Sequence, residues 1–289
     1  MSRRFEYHIE EADAGLTVEE FLLKNEYSKR LIIVLKQTSD GICIDGSRTR
    51  TTALLKQGDL FAVTLPEKEK KHSIEKLTVP VIYEDNDIVI FNKPAGIACH
   101  RSGCHAEGTL ENMLEGTLCL VYRLDKDTSG LLLVAKHQLA ASRLWRSVKK
   151  KYIAIVSGKL VFDEGIISMP IEREAPFEMK RIVTDSGLQA ITGYRVLARG
   201  ENAEIVECTP FTGRTHQIRV HFSQLGHPLL GDSLYNGDCT LLDRHALHCG
   251  SIEFNHPITG EKIQISAEFP EDMQRIANKI YGGTYEDNR

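Results

Sequence analysis

Arg123 and Asp125 sit two residues apart in VYRLDKDTSGLLLVAK, residues 121–136. One apolar run, LCLVYRL, delivers them, and a second, LLLVA, leaves after the polar turn at 126–130. Two chemistries suit Asp125. It is either a turn residue that caps its own backbone, as Asp, Ser and Gly do in such turns, or a carboxylate held out for use as a nucleophile. Both flanking runs suit buried strands, so the turn is expected to emerge from the core and not from a loose surface loop.

A second group lies in TPFTGRTHQIRVHFSQLGHPLLGD, residues 209–232. The spacing predicts a helix capped by Thr215, with Ile218, Phe222 and Leu225 on its apolar face and Gly226 and Pro228 ending it. The other positions are Arg214, His216, Gln217, Arg219 and His221, with no acid between Phe211 and Pro228. A solvated face accounts for some of these. A basic helix rich in hydrogen-bonding groups is also what a phosphate or carboxylate requires beside it. In SRLWRSVKKKY, residues 142–152, Arg143, Arg146, Lys149, Lys150 and Lys151 are interleaved with Trp145 and Tyr152. That pattern fits phosphate neutralisation with base stacking, and equally a solvated helix end. CHRSGCH, residues 99–105, offers two Cys-His pairs. Zinc uses such ligands, but the spacing matches no common ligand knuckle and no Cys-x-x-Cys supports it, so no metal is expected. P-loop, dinucleotide-glycine, nucleophile-elbow and kinase motifs are all missing, so the chemistry is expected to need no nucleotide cofactor.

These groups need elements to position them. TVEE, with Thr17 and Glu20, is a capping-box pattern opening a first helix, and a second starts near Ser28. GICIDGSRTR reads as a strand entering an Asp45-Gly46 turn, and QGDLFAVTLP as a closing strand. Residues 1–66 thus form a helix–helix–hairpin module, and the dense charge of 67–76 marks a linker. From residue 77, strands outnumber helices: two around Asp85-Asn86, one in KYIAIVSG, and a hairpin around Gly200. Short turns between them predict an antiparallel or mixed sheet. Residues 274–289 read as a polar, weakly helical tail.

The 289 residues suit one large domain or two unequal ones, and a 42% hydrophobic content suffices for a core. A net charge of −4 excludes a polycation that coats nucleic acid indiscriminately. No apolar run approaches a membrane span, and MSRRFEYHIEE lacks the apolar core of a signal peptide. Seven scattered cysteines favour reduced thiols and a cytoplasmic protein.

RLDKDTSGLLLVAK, KKYIAIVSG and TGRTHQIRVHFSQLGHPLLGDSLY, in that order, resemble the RluA-type pseudouridine synthases. NKPAG at 92–96, GTLENML at 108–114 and RHALHCGSIEFNHPITGE at 244–261 extend the likeness over residues 77–273. The N-terminal module resembles the small RNA-binding domain named after ribosomal protein S-four. The resemblance implies an α+β fold: a mixed, mainly antiparallel sheet with flanking helices and a central RNA-binding cleft, plus a small N-terminal α/β RNA-binding module. It implies an enzyme that isomerises uridine in ribosomal or transfer RNA to pseudouridine, without metal, flavin or nucleotide, as a monomer. A non-catalytic RNA-binding or ribosome-assembly protein of the same fold is the alternative, though a mere binder has no use for a carboxylate facing RNA phosphates. By the same resemblance Asp125 is the catalytic nucleophile, acting on the ribose or the base or assisting glycosidic cleavage; Tyr152 lies against the target base and helps to remove the C5 proton, and Arg219 pairs with the aspartate. Arg123, Arg214, His216, Gln217, Lys149, Lys150, Lys151, Arg48 and Arg50 are the expected RNA contacts. Tyr122 departs from the pattern, since the family usually has His before RLD.

Overall fold

A computed structural model describes residues 3–66, 79–100, 108–113, 119–145 and 147–282. The expected linker at 67–76, Cys104 and His105, Arg146 and the chain end past 282 lie outside these residues.

Local signals build the N-terminal unit. The elements are β1 (Arg3–His8), α1 (Val18–Lys24), α2 (Lys29–Gln37), β2 (Ile42–Ile44), β3 (Ser47–Arg48) and β4 (Leu60–Leu65). Thr17 closes the capping box on α1: its Oγ1 accepts from Glu20 N–H at 3.2 Å, and its own N–H donates to the Glu20 carboxylate at 2.8 Å. Ser28 caps α2 by accepting from Leu31 N–H. Asp45 and Gly46, both at positive φ, turn β2 into β3. The antiparallel sheet runs β1-β4-β2-β3, so β4 lies inside it, and Phe21, Leu22, Leu31, Leu35, Phe61 and Val63 fill the core.

The larger unit is one ten-stranded sheet. In chain order come β5 (Val81–Glu84), β6 (Ile88–Lys93), α3 (Leu110–Met113), β7 (Cys119–Leu120), β8 (Ser129–Ala135), α4 (Gln138–Leu144), β9 (Lys149–Ser157) and β10 (Glu164–Ser168). They are followed by β11 (Ile171–Arg173), β12 (Arg181–Val183), β13 (Ile191–Arg199), β14 (Ala203–Pro210), α5 (Gln217–Gln224), β15 (Leu247–Asn255), β16 (Lys262–Ser266) and α6 (Glu271–Tyr281). The main path is β10-β13-β14-β9-β15-β8-β6-β5; β16 pairs with β15 and β7 with β8, while β11 and β12 form a separate hairpin. All described pairings between these strands are antiparallel except β15 with β8, which meet at His248–Ser129 and Cys249–Gly130. Gly130 makes that meeting possible. It sits at φ 109, and a Cβ there would lie 2.6 Å from Cys249 N.

Alternation along β9 divides the core. Tyr152, Ala154 and Val156 pack with Ile218 and Phe222 of α5, whereas Ile153 and Ile155 pack with Met273 and Ile276 of α6. The chain past 273 is therefore core-forming helix up to Tyr281, and α6 runs through the boundary expected there. The N-terminal unit meets the sheet through side chains: Leu139 of α4 enters its core, Arg3 pairs with Asp87 at 2.9 Å, and Arg143 donates to Asn25 O and Pro257 O.

Three local readings change. Among the described residues of LCLVYRL, 119–124, there is only the two-residue strand β7, because the Tyr122 hydroxyl takes ladder positions on β8, donating to Leu131 O at 2.8 Å and accepting from Leu133 N–H at 3.3 Å. This accounts for Tyr122. Ser129 and Gly130 belong to strand β8 and not to the turn. The helix expected from Thr215 is entered through His216, whose left-handed backbone (φ 57) takes the cap position without a side-chain bond. Among the described residues, no helix is long and apolar enough to cross a membrane.

Candidate active site

Thr128 N–H donates to Asp125 O at 3.1 Å, which closes residues 125–128 into a turn. Distant side chains hold it. Buried Lys93, at the end of β6, donates from Nζ to Pro94 O, Ile97 O and Lys126 O at 2.8, 2.9 and 2.9 Å. Arg244 donates to Asp127 O at 3.1 Å and is itself gripped by Asp272 in the first turn of α6, at 2.7 and 2.9 Å. Thr128 Oγ1 pairs with His245 Nε2 at 2.8 Å. The Cys99 thiol, half of the first Cys-His pair, bonds the backbone O and N–H of Leu124.

The Asp125 carboxylate is 28% exposed and reaches Arg219 Nη1 at 3.2 Å. Arg219 lies on α5 and makes a two-pronged pair with Asp232, at 2.7 and 2.8 Å. One guanidinium thus serves two carboxylates, and Asp232 is 1% exposed. Five fixed donors in one plane allow this division. Burial pulls the Arg219 pKa down, but Asp232 and then Asp125 outweigh it, so the net shift is upward and the cation is secure. Behind Arg219, the Tyr235 ring lies 5.0 Å from its guanidinium carbon. The Tyr235 hydroxyl accepts from Arg181 N–H and pairs with His216 Nδ1, both at 2.9 Å. If that hydroxyl donates to Nδ1, the imidazole hydrogen sits on Nε2, which faces Asp125 Oδ2 at 3.9 Å.

Burial sets most of the charges around this pair. It pushes His216 down to about 4 against the pull of Asp125. It pushes His245 down to about 2, with Arg219 and Arg244 acting in the same direction. Both imidazoles are neutral at pH 7. Lys93 is lowered by burial to about 8 and stays largely protonated at pH 7. Tyr152 is buried on β9, in register between Cys208 and Cys249, and its phenol is pushed well up by burial and then by Cys249 and Asp125. It is a neutral O–H at neutral pH.

The sequence-derived residues divide. Asp125, Arg219 and His216 come together, and Tyr152 lies within electrostatic reach of Asp125. Arg123 is exposed two residues before Asp125 and touches His100 at 3.2 Å. Arg214 is exposed, with Nε on Gln189 O. Gln217 is buried; its Nε2 donates to Ile191 O and Thr192 Oγ1 and its Oε1 accepts from Thr212 Oγ1 and the Arg214 N–H, so it braces the entry to α5. Lys149 and Lys151 are paired with Glu253 and Glu207, and Lys150 lies over the Tyr122 ring at 4.8 Å. Arg48 and Arg50 are exposed on the N-terminal unit, Arg48 bonding Lys36 O. Sequence reasoning missed Asp232, Tyr235, Lys93, Arg244 and His245. A signal existed for Asp232: a buried Arg needs a buried acid, and residues 219–232 contain no other acid.

Comparison with known proteins gives a consistent set of likenesses. Residues 87–224 match the family model described as RNA pseudouridylate synthase. YjbO of Bacillus subtilis (strain 168), an uncharacterised RNA pseudouridine synthase, is 36% identical over 277 residues, covering 90% of this chain and 98% of that protein. Ribosomal large subunit pseudouridine synthase D of Xanthomonas campestris pv. campestris is 34% identical over 284 residues, covering 88% and 85%. The solved structure of human RNA pseudouridylate synthase domain containing 1 superposes with a TM-score of 0.56 at 27% identity, covering 67% of this chain and 84% of that one.

Proposed function

Since this chain belongs to the RNA pseudouridylate synthase family, we propose that Asp125 is the nucleophile with which it isomerises uridine to pseudouridine, and that its substrate is large-subunit ribosomal RNA. The shared guanidinium carries this reading. Arg219 is locked to buried Asp232 and still reaches Asp125, whose carboxylate remains open to solvent. Asp232 is the permanent counter-charge; Asp125 is the carboxylate free to react.

The isomerisation conserves every atom. A lone pair on the Asp125 carboxylate bonds to ribose C1′ while the N1–C1′ pair moves onto the uracil. The base turns. A pair from the uracil ring at C5 then bonds to C1′ and displaces the carboxylate. The C5 proton leaves and N1 finishes with one. Each return of charge to Asp125 is met by the preorganised Arg219 cation and the neutral His216 beside it. Tyr152 keeps its own proton, so its fit is as a ring against the base and an O–H donor; acting as a base would first require passing that proton on. The ribosomal substrate is supported by relatives named for the large ribosomal subunit. The N-terminal unit, with Arg48 and Arg50 exposed, serves as an RNA-binding module in this reading, and the chain acts as a cytoplasmic monomer.

The test is pseudouridine mapping of cellular RNA with and without the gene, using carbodiimide adducts that stop reverse transcriptase. A defined stop in large-subunit ribosomal RNA should vanish and return with the wild type but not with Asp125→Asn. The purified variant should lose about 10,000-fold or more in rate while staying folded. Unchanged stops in that RNA would refute the substrate; near-normal turnover by Asp125→Asn would refute the nucleophile.

A further inference from the structure

We propose that the tip of the β11–β12 hairpin is a second RNA-binding site, where Phe177 stacks on an unpaired base of the substrate near the reacting uridine. This rests on the reading of the chain as an RNA enzyme. β11 and β12 pair from Ile171–Val183 to Arg173–Arg181, and the segment between carries Phe177. Phe177 is 97% exposed and sits at φ 70. A bulky side chain in the left-handed region meets its own backbone, and glycine or asparagine fills such a position at less cost. A bare ring gains nothing from burial. The fold therefore has no use for Phe at this place, and strain kept without a folding benefit points to a ligand.

The tip is braced. Arg181 Nη1 donates to the carbonyls of Glu178, Met179 and Lys180 at 3.0, 3.0 and 3.1 Å. Glu178 N–H donates to Ala175 O, Glu174 N–H to Lys180 O, and Lys180 pairs with Glu174 at 3.0 Å. A ring presented on such a support loses little freedom when a base lands on it. The hairpin is also joined to the reaction centre. Arg181 N–H bonds the Tyr235 hydroxyl, Tyr235 bonds His216, and His216 faces Asp125. At the foot of the hairpin, Leu188 bridges Ile171, and the neighbouring Gln189 carbonyl holds the exposed Arg214. Arg214 and Arg173 offer cations for phosphates, and Phe177 offers a π-face that any base can use, which is the composition of a single-strand RNA site.

The experiment uses an in vitro transcript of large-subunit ribosomal RNA carrying tritium at uridine C5. Filter binding gives Kd, and tritium release gives kcat and KM. Phe177→Gly suits the backbone and should stay folded. It should raise Kd and KM by roughly 5- to 150-fold, the range for one base stack, with a much smaller change in kcat. Phe177→Trp, which keeps a ring, should remain within about threefold of the wild type. A Phe177→Gly protein that binds and turns over the naked transcript normally overturns the proposal, and a defect confined to assembled ribosomal particles reassigns the ring to a protein contact. If the wild type releases no tritium, the enzymatic reading fails instead, and the Kd comparison still judges the stack.

Discussion

In the N-terminal unit, Thr17 caps α1 through Glu20 and Ser28 caps α2 through Leu31, each three residues away. In the Asp125 turn, the partners of Asp125, Asp127 and Thr128 stand 94, 117 and 117 residues away. The first region has a core of apolar side chains shaped by nearby caps. The second is a polar cage of Lys93, Arg219 and the adjacent pair Arg244 and His245, drawn from three separate parts of the chain. Where the determinants are local, loss of one weakens an element. Where they are distant and charged, loss of one strands its partner in the interior.

The sharpest break of this contrast is Arg219→Ala. It leaves buried Asp232 without a cation and should cost about 3–5 kcal/mol in urea unfolding, together with most of the turnover. Adding Asp232→Ala should restore part of the stability and none of the activity. A double variant no more stable than the single one would show that the shared guanidinium does not hold α5.

Acid is the next probe. His216 has a native pKa of about 4, below the 6.5 of an ordinary His, so the unfolded chain takes up the proton first as pH falls. Its contribution is complete above about 6.5 and is lost towards pH 4, on the order of 3 kcal/mol in all. His245, near 2, continues the loss at lower pH. Urea midpoints at pH 7.5 and 4.5 should therefore lie closer together in His216→Asn, which tolerates the left-handed backbone, than in the wild type. Equal separations would remove His216 from the acid response.

The smallest effect belongs to the N-terminal unit. Thr17→Ala removes the capping box and should cost about 1 kcal/mol of stability while kcat is unchanged. A fall in kcat would mean that the two regions are coupled through the contacts of Arg3 and Arg143.

Legibility follows the same division. The capping box, the Ser28 cap, the Asp45-Gly46 turn and the strands of residues 149–157 and 191–210 were readable, because three to ten neighbouring residues specify them. The antiparallel or mixed sheet followed from those strands, and the α+β class from the resemblance. The candidate catalytic residues came from resemblance; spacing alone left Asp125 between turn and chemistry. Thr215 was misread as a cap because Gln217 engages the Arg214 N–H and Thr212 instead, a side-chain choice that helical periodicity does not contain. The basic run 149–151 looked free for RNA because Glu207 and Glu253, its partners on neighbouring strands, are far away in sequence. Lys93 was hidden for a related reason. Three carbonyls, not an acid, satisfy its ammonium, and carbonyls leave no trace in a sequence.

The long separations within the Asp125 cage also fix a sequence of events in time. A chain made from its N-terminus presents Asp125 early, when Arg219, Asp232, Arg244 and His245 do not yet exist, and Asp272, which steadies Arg244, comes later still. The N-terminal unit is able to close on itself while the rest is being made. The Asp125 carboxylate acquires its geometry only when the last strands and α6 have arrived. The geometry proposed for reaction thus depends on late parts of the chain, whereas the N-terminal unit does not.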